Sequence, residues 1–189
     1  MKKTSMISKI LIIVPTVLIL LAIVIIIATS SGSPSKALEA AIPLVESNFD
    51  AVTYYKIAQL PPKSEAEFSY DDYPEGTVPC ATTVFSSYSQ LETLINNTYT
   101  PVTAQMILSS EVNGSPRYFD HNGVLCKTIA PTDTSYNKDF STYTVAVANV
   151  SSKSADVIVT VPLKNGGTEE LRMKMVKSGE KWLLEEMVY

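Results

Sequence analysis

The chain is poor in the residues that carry most enzymatic chemistry. Its 189 residues include one histidine, His121, two cysteines, Cys80 and Cys126, and one tryptophan, Trp182. A zinc site takes three or four ligands, usually with close-spaced pairs, so one histidine and two distant cysteines fall short in number and spacing. No metal site is expected. A Cys-His enzyme further requires an orienting group and oxyanion donors, and none has a recognisable signature here. No motif calls for a cofactor, and neither an internal repeat nor a low-complexity tract is present.

An excess of positive charge is also missing. The sequence has 15 basic and 19 acidic residues. Removing Lys2, Lys3 and Lys9 from the basic count leaves 12 against 19, a net charge of −7 on everything that follows. A binder of nucleic acid or of an anionic wall polymer is normally basic, which argues against both. A basic protein partner suits the charge, and solubility is the plainer account of it.

What the sequence does have begins with a long apolar run. Residues 10–28, ILIIVPTVLILLAIVIIIA, carry no charge. A helix of that length spans about 28 Å at ~1.5 Å per residue, close to the hydrocarbon thickness of a bilayer. The run is expected to be a transmembrane helix, with residues 1–9 as a cytoplasmic stub, because Lys2, Lys3 and Lys9 lie on that side. A cleaved signal peptide is the rival, but such cores are usually about 7–15 residues long. No cysteine closely follows the run, which excludes lipidation there. Residues 29–36, TSSGSPSK, read as a short linker, and 37–189 as one exported domain held near the membrane.

Periodicity then gives the fold class. Leu38, Ile42, Val45, Phe49 and Val52 recur as one apolar helical face, interrupted by Pro43. Ser89 and Glu92 have capping-box spacing ahead of Leu91, Leu94 and Ile95, and Thr100-Pro101 opens another helix with Ala104, Ile107 and Leu108 inward. From residue 116 the period becomes two. Asn122-Gly123 between RYFD and VLCKTI is a strong hairpin signal, and four strands follow at 143–150, 155–161, 169–176 and 181–189. Leu171, Met173 and Met175 alternate with charged neighbours, giving one buried face and one wet face. The expectation is an α+β domain whose helices pack on a curved antiparallel meander.

The succession YSQLETLINNTYTPVTAQ, RYFDHNGVLCK and VKSGEKWLLEEM resembles the exported cell-wall DL-endopeptidase inhibitor (IseA-like) family of Gram-positive bacteria. More loosely, it is similar to the cone-shaped ketosteroid-isomerase and nuclear-transport-factor superfamily. The resemblance covers roughly residues 68–189. It implies a membrane-tethered, extracellular, non-enzymatic inhibitor that docks on wall cysteine endopeptidases of the NlpC type and blocks their cleft. In a bacterial setting the sequons at Asn96, Asn113 and Asn149 stay unmodified.

His121 and Cys126 lie five positions apart. A two-residue turn at 122–123 places Phe119, His121, Val124 and Cys126 on one face, with His121 and Cys126 as diagonal neighbours about 7–8 Å apart. Their proximity follows from the hairpin. For an exported chain with an even cysteine count, a disulfide between Cys80 and Cys126 is expected, free buried thiols being the next alternative. Such a bridge contributes roughly 4 kcal/mol in the chain-entropy model. Glu185 and Glu186 alternate along a strand and make no acid/base pair, and Trp182 reads as a core residue.

The stretch FSYDDYPEGTVPC (68–80) is the candidate contact surface. Tyr70 and Tyr73 bracket Asp71 and Asp72, with Glu75 in the turn that follows. Tyrosine supplies contact area at low entropy cost and carboxylates steer an encounter, although the same stretch also suits an ordinary acidic loop. Residues 130–142 form a second long loop. A non-catalytic sensor or assembly domain of an envelope complex is the alternative function.

Overall fold

The structure, a computed structural model, describes residues 32–189. The expected stub and transmembrane helix lie outside the described residues. Among those residues, no helix is long and apolar enough to cross a membrane. The first element, α1 (Pro34–Val52), begins inside the stretch expected to be a linker. Pro34 occupies the first turn, where its fixed φ suits the helix and its missing N–H is no loss, and Ala37 is already buried. Just before it, Gly32 passes so close to the next layer that a Cβ there would meet the Ser151 carbonyl oxygen at 2.6 Å.

Helix α1 continues through Pro43 despite the interruption it makes in the apolar face. Pro43 is on the exposed face, where water can pair the carbonyl it leaves free, while Ala41, Leu44 and Val45 are buried. The helix runs into a π-helical turn, Thr53–Ile57, closed by the Ala58 amide donating to the Thr53 carbonyl at 2.7 Å. Two further helices, α2 (Tyr88–Thr98) and α3 (Pro101–Leu108), follow a short first strand, β1 (Thr77–Pro79). The cap of α2 is Ser87, not the expected Ser89. Ser87 Oγ accepts from the Gln90 amide at 3.3 Å, and Gln90 Oε1 reaches back to the Ser86 amide at 2.8 Å. The S-x-x-E/Q spacing is that of a capping box two residues earlier, with the return bond going to the residue before the cap, not to the cap itself.

The remaining strands are β2 (Glu111–Val112), β3 (Ser115–Pro116), β4 (Tyr118–His121), β5 (Val124–Thr128), β6 (Thr144–Ala148), β7 (Ser154–Pro162), β8 (Thr168–Ser178) and β9 (Lys181–Leu184). The expected meander forms as β6-β7-β8-β9, every pair antiparallel. Its last strand ends at Leu184, so Glu185 and Glu186 lie just beyond it. Val145 and Val147, then Val157, Val159 and Val161, then Leu171, Met173 and Met175 alternate into the core, against Val45 and Phe49 of α1. The α+β class stands. Two smaller sheets were not expected: the β2-β3 hairpin, and a three-stranded sheet in which β1 adds to the edge of the Asn122-Gly123 hairpin in the order β1-β5-β4. That hairpin has the anticipated register, His121 opposite Val124 and Phe119 opposite Cys126, with positive φ at both turn residues.

One buried polar group joins the helices to the end of the meander. Asn48, fully buried in α1, donates from Nδ2 to the Val188 carbonyl at 2.8 Å. Its Oδ1 accepts from the Tyr99 hydroxyl at 2.9 Å and from the Val188 amide at 3.2 Å. Truncation at position 48 strands the buried Tyr99 hydroxyl and two half-buried backbone groups of Val188, a buried group costing about 1–3 kcal/mol when unpaired. Asn48→Ala is therefore expected to destabilise by about 2–5 kcal/mol in chemical denaturation, adding Tyr99→Phe should cost much less than the sum, and independent additive losses would disprove the coupling.

Candidate functional site

The 68–80 stretch is not a featureless acidic loop. Two single 3-10 turns, Glu65–Glu67 just ahead of it and Tyr70–Asp72 within it, bend the chain. Its downstream end is held by β1, where Thr77, Val78 and Pro79 pair with Thr128, Lys127 and Cys126 of β5. Gly76, at φ 74°, turns the chain into that strand, and its carbonyl accepts from the Ile129 amide at 3.0 Å. Upstream, the Lys63 amide donates to the Pro79 carbonyl at 2.9 Å. The loop is thus clamped to the sheet at both ends.

Between the clamps the aromatic rings pack on one another. Phe68 meets Tyr70 edge-on at 5.0 Å and Tyr73 at 5.8 Å, and Tyr73 lies tilted against His121 of β4 at 5.7 Å. The Tyr70 hydroxyl donates to Glu65 Oε1 at 3.0 Å, and this hydrogen bond is the first cause of a raised tyrosine pKa. Tyr70 remains 55% exposed. Glu65, Glu67, Asp71, Asp72 and Glu75 are all exposed around it. Tyr70, Asp71, Tyr73 and Glu75 also line a depression of about 480 Å³.

The structure therefore brings together the tyrosines and acids singled out in the sequence, with Phe68 of the same stretch packed among them, and adds one member, His121. Phe68 had a signal in its spacing, two and five positions ahead of the tyrosines. The role of His121 had none, since its neighbour Tyr73 comes from a strand pairing that short-range patterns do not encode. The other loop, 130–142, is pinned instead. Phe140 stacks on Phe49 of α1 at 3.8 Å, the Asp139 amide donates to the Pro162 carbonyl at 2.9 Å, and Lys138 pairs with Glu169 at 3.2 Å.

The expected Cys80–Cys126 disulfide is not formed: both cysteines are free and buried. The register explains why. Pro79 is the residue opposite Cys126, so Cys80, one position on, projects from the other face of the sheet. Cys80 packs in the main core with Leu125 and Tyr118, whereas Cys126 lies on the face of its partner Phe119. Burial pushes the Cys80 thiol up to about 12, against the opposing charge of Lys127, and burial with nearby Asp120 pushes Cys126 up to about 11. Thiols so placed are protonated at neutral pH and are poor nucleophiles. Among the described residues, no group of three or more histidine, cysteine or acidic side chains is arranged to hold a metal ion.

No protein-family model matches the chain, and no curated protein matches it.

The thiols carry a joint chemical and thermodynamic expectation. Native protein should react slowly with a thiol reagent at pH near 8, and unfolded protein should release two reactive thiols per chain. Because both folded-state values lie above the ordinary value of 9.0, the stability they contribute is complete below pH 9 and is lost as pH rises toward 11 and 12. Urea midpoints should accordingly fall between pH 8 and 10.5, approximately the span in which unfolded thiols ionise first. A Cys80→Ala, Cys126→Ala chain that loses stability just as steeply would assign the slope to other groups.

Proposed function

We propose that the chain is a membrane-tethered extracytoplasmic inhibitor that occludes the cleft of a cell-wall cysteine endopeptidase of the NlpC type, without a covalent step. The observation that carries this reading is the clamped aromatic ridge, Phe68, Tyr70, Tyr73 and His121, ringed by five exposed acids. A ridge held by β1 and by its own ring contacts has little conformational entropy left to lose on docking, which favours a tight rigid-body complex. The acids suit a basic cleft rim, where charge accelerates encounter more than it strengthens the final complex. Both thiols are buried and protonated, so the groups available at the ridge are ones that contact, not ones that form adducts. The sequence likeness to the DL-endopeptidase inhibitor family points to the same partner, and the apolar run at 10–28 supplies the tether.

Charge and aromatic area should separate kinetically. Replacing Asp71 and Asp72 together by Asn is expected to slow association several-fold at low salt, with the difference shrinking near 0.5 M, where the Debye length is only about 4 Å. Tyr73→Ala should instead hasten dissociation by roughly 10- to 100-fold, as for an anchor worth about 2 kcal/mol or more. Surface-captured wall endopeptidases at two ionic strengths, with peptidoglycan digestion followed in parallel, give the readout. Undiminished digestion in the presence of the intact chain would reject inhibition and favour an envelope sensor or assembly module.

A further inference from the structure

The chain has little slack between its apolar run and its domain. The run ends at residue 28, and Gly32 already packs against Ser151 of the β6-β7 turn, two residues before α1 begins. Four steps from residue 28 to residue 32 reach at most about 14 Å at ~3.5 Å each. Of that distance, the headgroup layer of a bilayer takes up about 5–7 Å. With residues 10–28 read as the membrane tether, on which this inference rests, the end of the domain that carries Gly32 stands within roughly a Debye length, about 8–10 Å, of the lipid surface.

That end is where lysines outnumber acids. Lys36 lies in the first turn of α1, Lys153 in the β6-β7 turn, Lys177 near the end of β8, and Lys181 opens β9. The two turns share one end of the sheet, since the Lys177 amide donates to the Lys153 carbonyl at 2.8 Å. All four residues are exposed. Lys36 and Lys153 form no ion pair among the described residues. Lys177 meets Glu180 only at 3.8 Å, and the Glu180 side chain is 98% exposed, so water weakens that pair. Lys181 Nζ donates to Asn97 Oδ1 at 3.1 Å, an uncharged partner that leaves its charge in place.

The rest of the domain has the opposite balance. The four lysines are set against Glu39, Asp156 and Glu180 at this end, a net charge of +1, while the other 8 basic and 16 acidic residues after position 31 give −8. The acidic ridge belongs to the far end, because α1, with its 19 residues, carries the chain about 28 Å away before Leu60 and Lys63 join the small sheet. We infer that the tethered end seats on an anionic phospholipid surface, with Lys36, Lys153, Lys177 and Lys181 against the headgroup phosphates and the ridge turned away from the bilayer. Each lysine contact with such a surface is weak, but the tether makes seating intramolecular, so a few suffice. Repulsion of the acidic remainder acts in the same direction. A domain free to swing on its tether would present the ridge at every angle, whereas a seated one presents it outward only.

Trp182 supplies the test, being the only tryptophan and lying opposite Lys177 in the β8-β9 register. The full chain is reconstituted into vesicles of phosphatidylcholine alone or with about 30% phosphatidylglycerol, and Trp182 emission is quenched by a nitroxide on the lipid headgroup. Quenching should be at least about 1.5-fold stronger with phosphatidylglycerol at low salt, the excess vanishing near 0.5 M, where the Debye length is about 4 Å. Lys36→Gln with Lys153→Gln, two side chains without an ion pair to lose, should remove about half of that excess at unchanged Tm, and replacing all four lysines nearly all of it. Lys56→Gln with Lys164→Gln, exposed lysines elsewhere, should leave it intact. A chain that floats with neither vesicle overturns the tether and the seating together. One that floats with both and shows equal quenching, or keeps the excess after all four replacements, overturns the seating alone.

Discussion

An amide in the first helix ties the helices to the tail that follows the meander. Asn48 sits where an apolar residue would continue the stripe of Val45, Phe49 and Val52, and it uses its side chain on Tyr99 and on both backbone groups of Val188. A leucine there would bury as much surface but would leave the tail after β9 without its backbone partners. The amide thus sets position more than it adds net stability, since a buried hydrogen bond contributes only about 1 kcal/mol over its solvated alternative. It determines where residues 185–189 run. Residues 185–187 and 189 line a cavity of about 560 Å³, so a polar contact in α1 shapes that surface too.

The segment leaving α1 is the second determinant. The π-helical turn advances the backbone by one extra residue per turn and so changes which side chains face inward. Tyr55 is buried as a result, and Leu60 reaches the interior soon after. From there the chain passes to β5, tied by Gln59 to Thr128 and Ala130 and by the Leu60 amide to Tyr118. Lys127, buried in β5, donates to the Leu60 carbonyl, and its burial lowers its pKa. These contacts make the small sheet a rigid base, and the aromatic ridge inherits that rigidity through β1.

Sequence patterns reached what local forces decide. The meander was legible because Val145 to Met175 alternate strictly, and the Asn122-Gly123 turn because few residues tolerate positive φ twice in succession. The α3 start was legible from Thr100-Pro101. The cap of α2 was misplaced because Ser87 with Gln90 and Ser89 with Glu92 offer the same chemistry, and burial of Leu91 and Ile95 alone does not choose between them. Hidden from any local reading were β1, with three residues and two prolines nearby, and the π-helical turn, which has no compositional mark. Because β1 was hidden, the faces taken by Cys80 and Cys126 were too, and an even cysteine count suggested a bond that the pleat separates.

The same limit applied to the candidate site and to the buried polar groups. The acids and tyrosines of 70–75 are neighbours in the chain, so their grouping was visible; His121, which buttresses Tyr73, enters through a pairing between β1 and β5 and then across the hairpin to β4. Tyr55, Ser110 and Arg117 are drawn from three separate segments, and none belongs to a motif. What distinguishes them is a lack, hydrogen-bonding capacity that the fold buries and does not use. A lack of that kind exists only once every possible partner has a position. It follows that a grouping of contiguous residues can be read from a sequence, whereas buried polar atoms without partners can be recognised only after the packing around them is known.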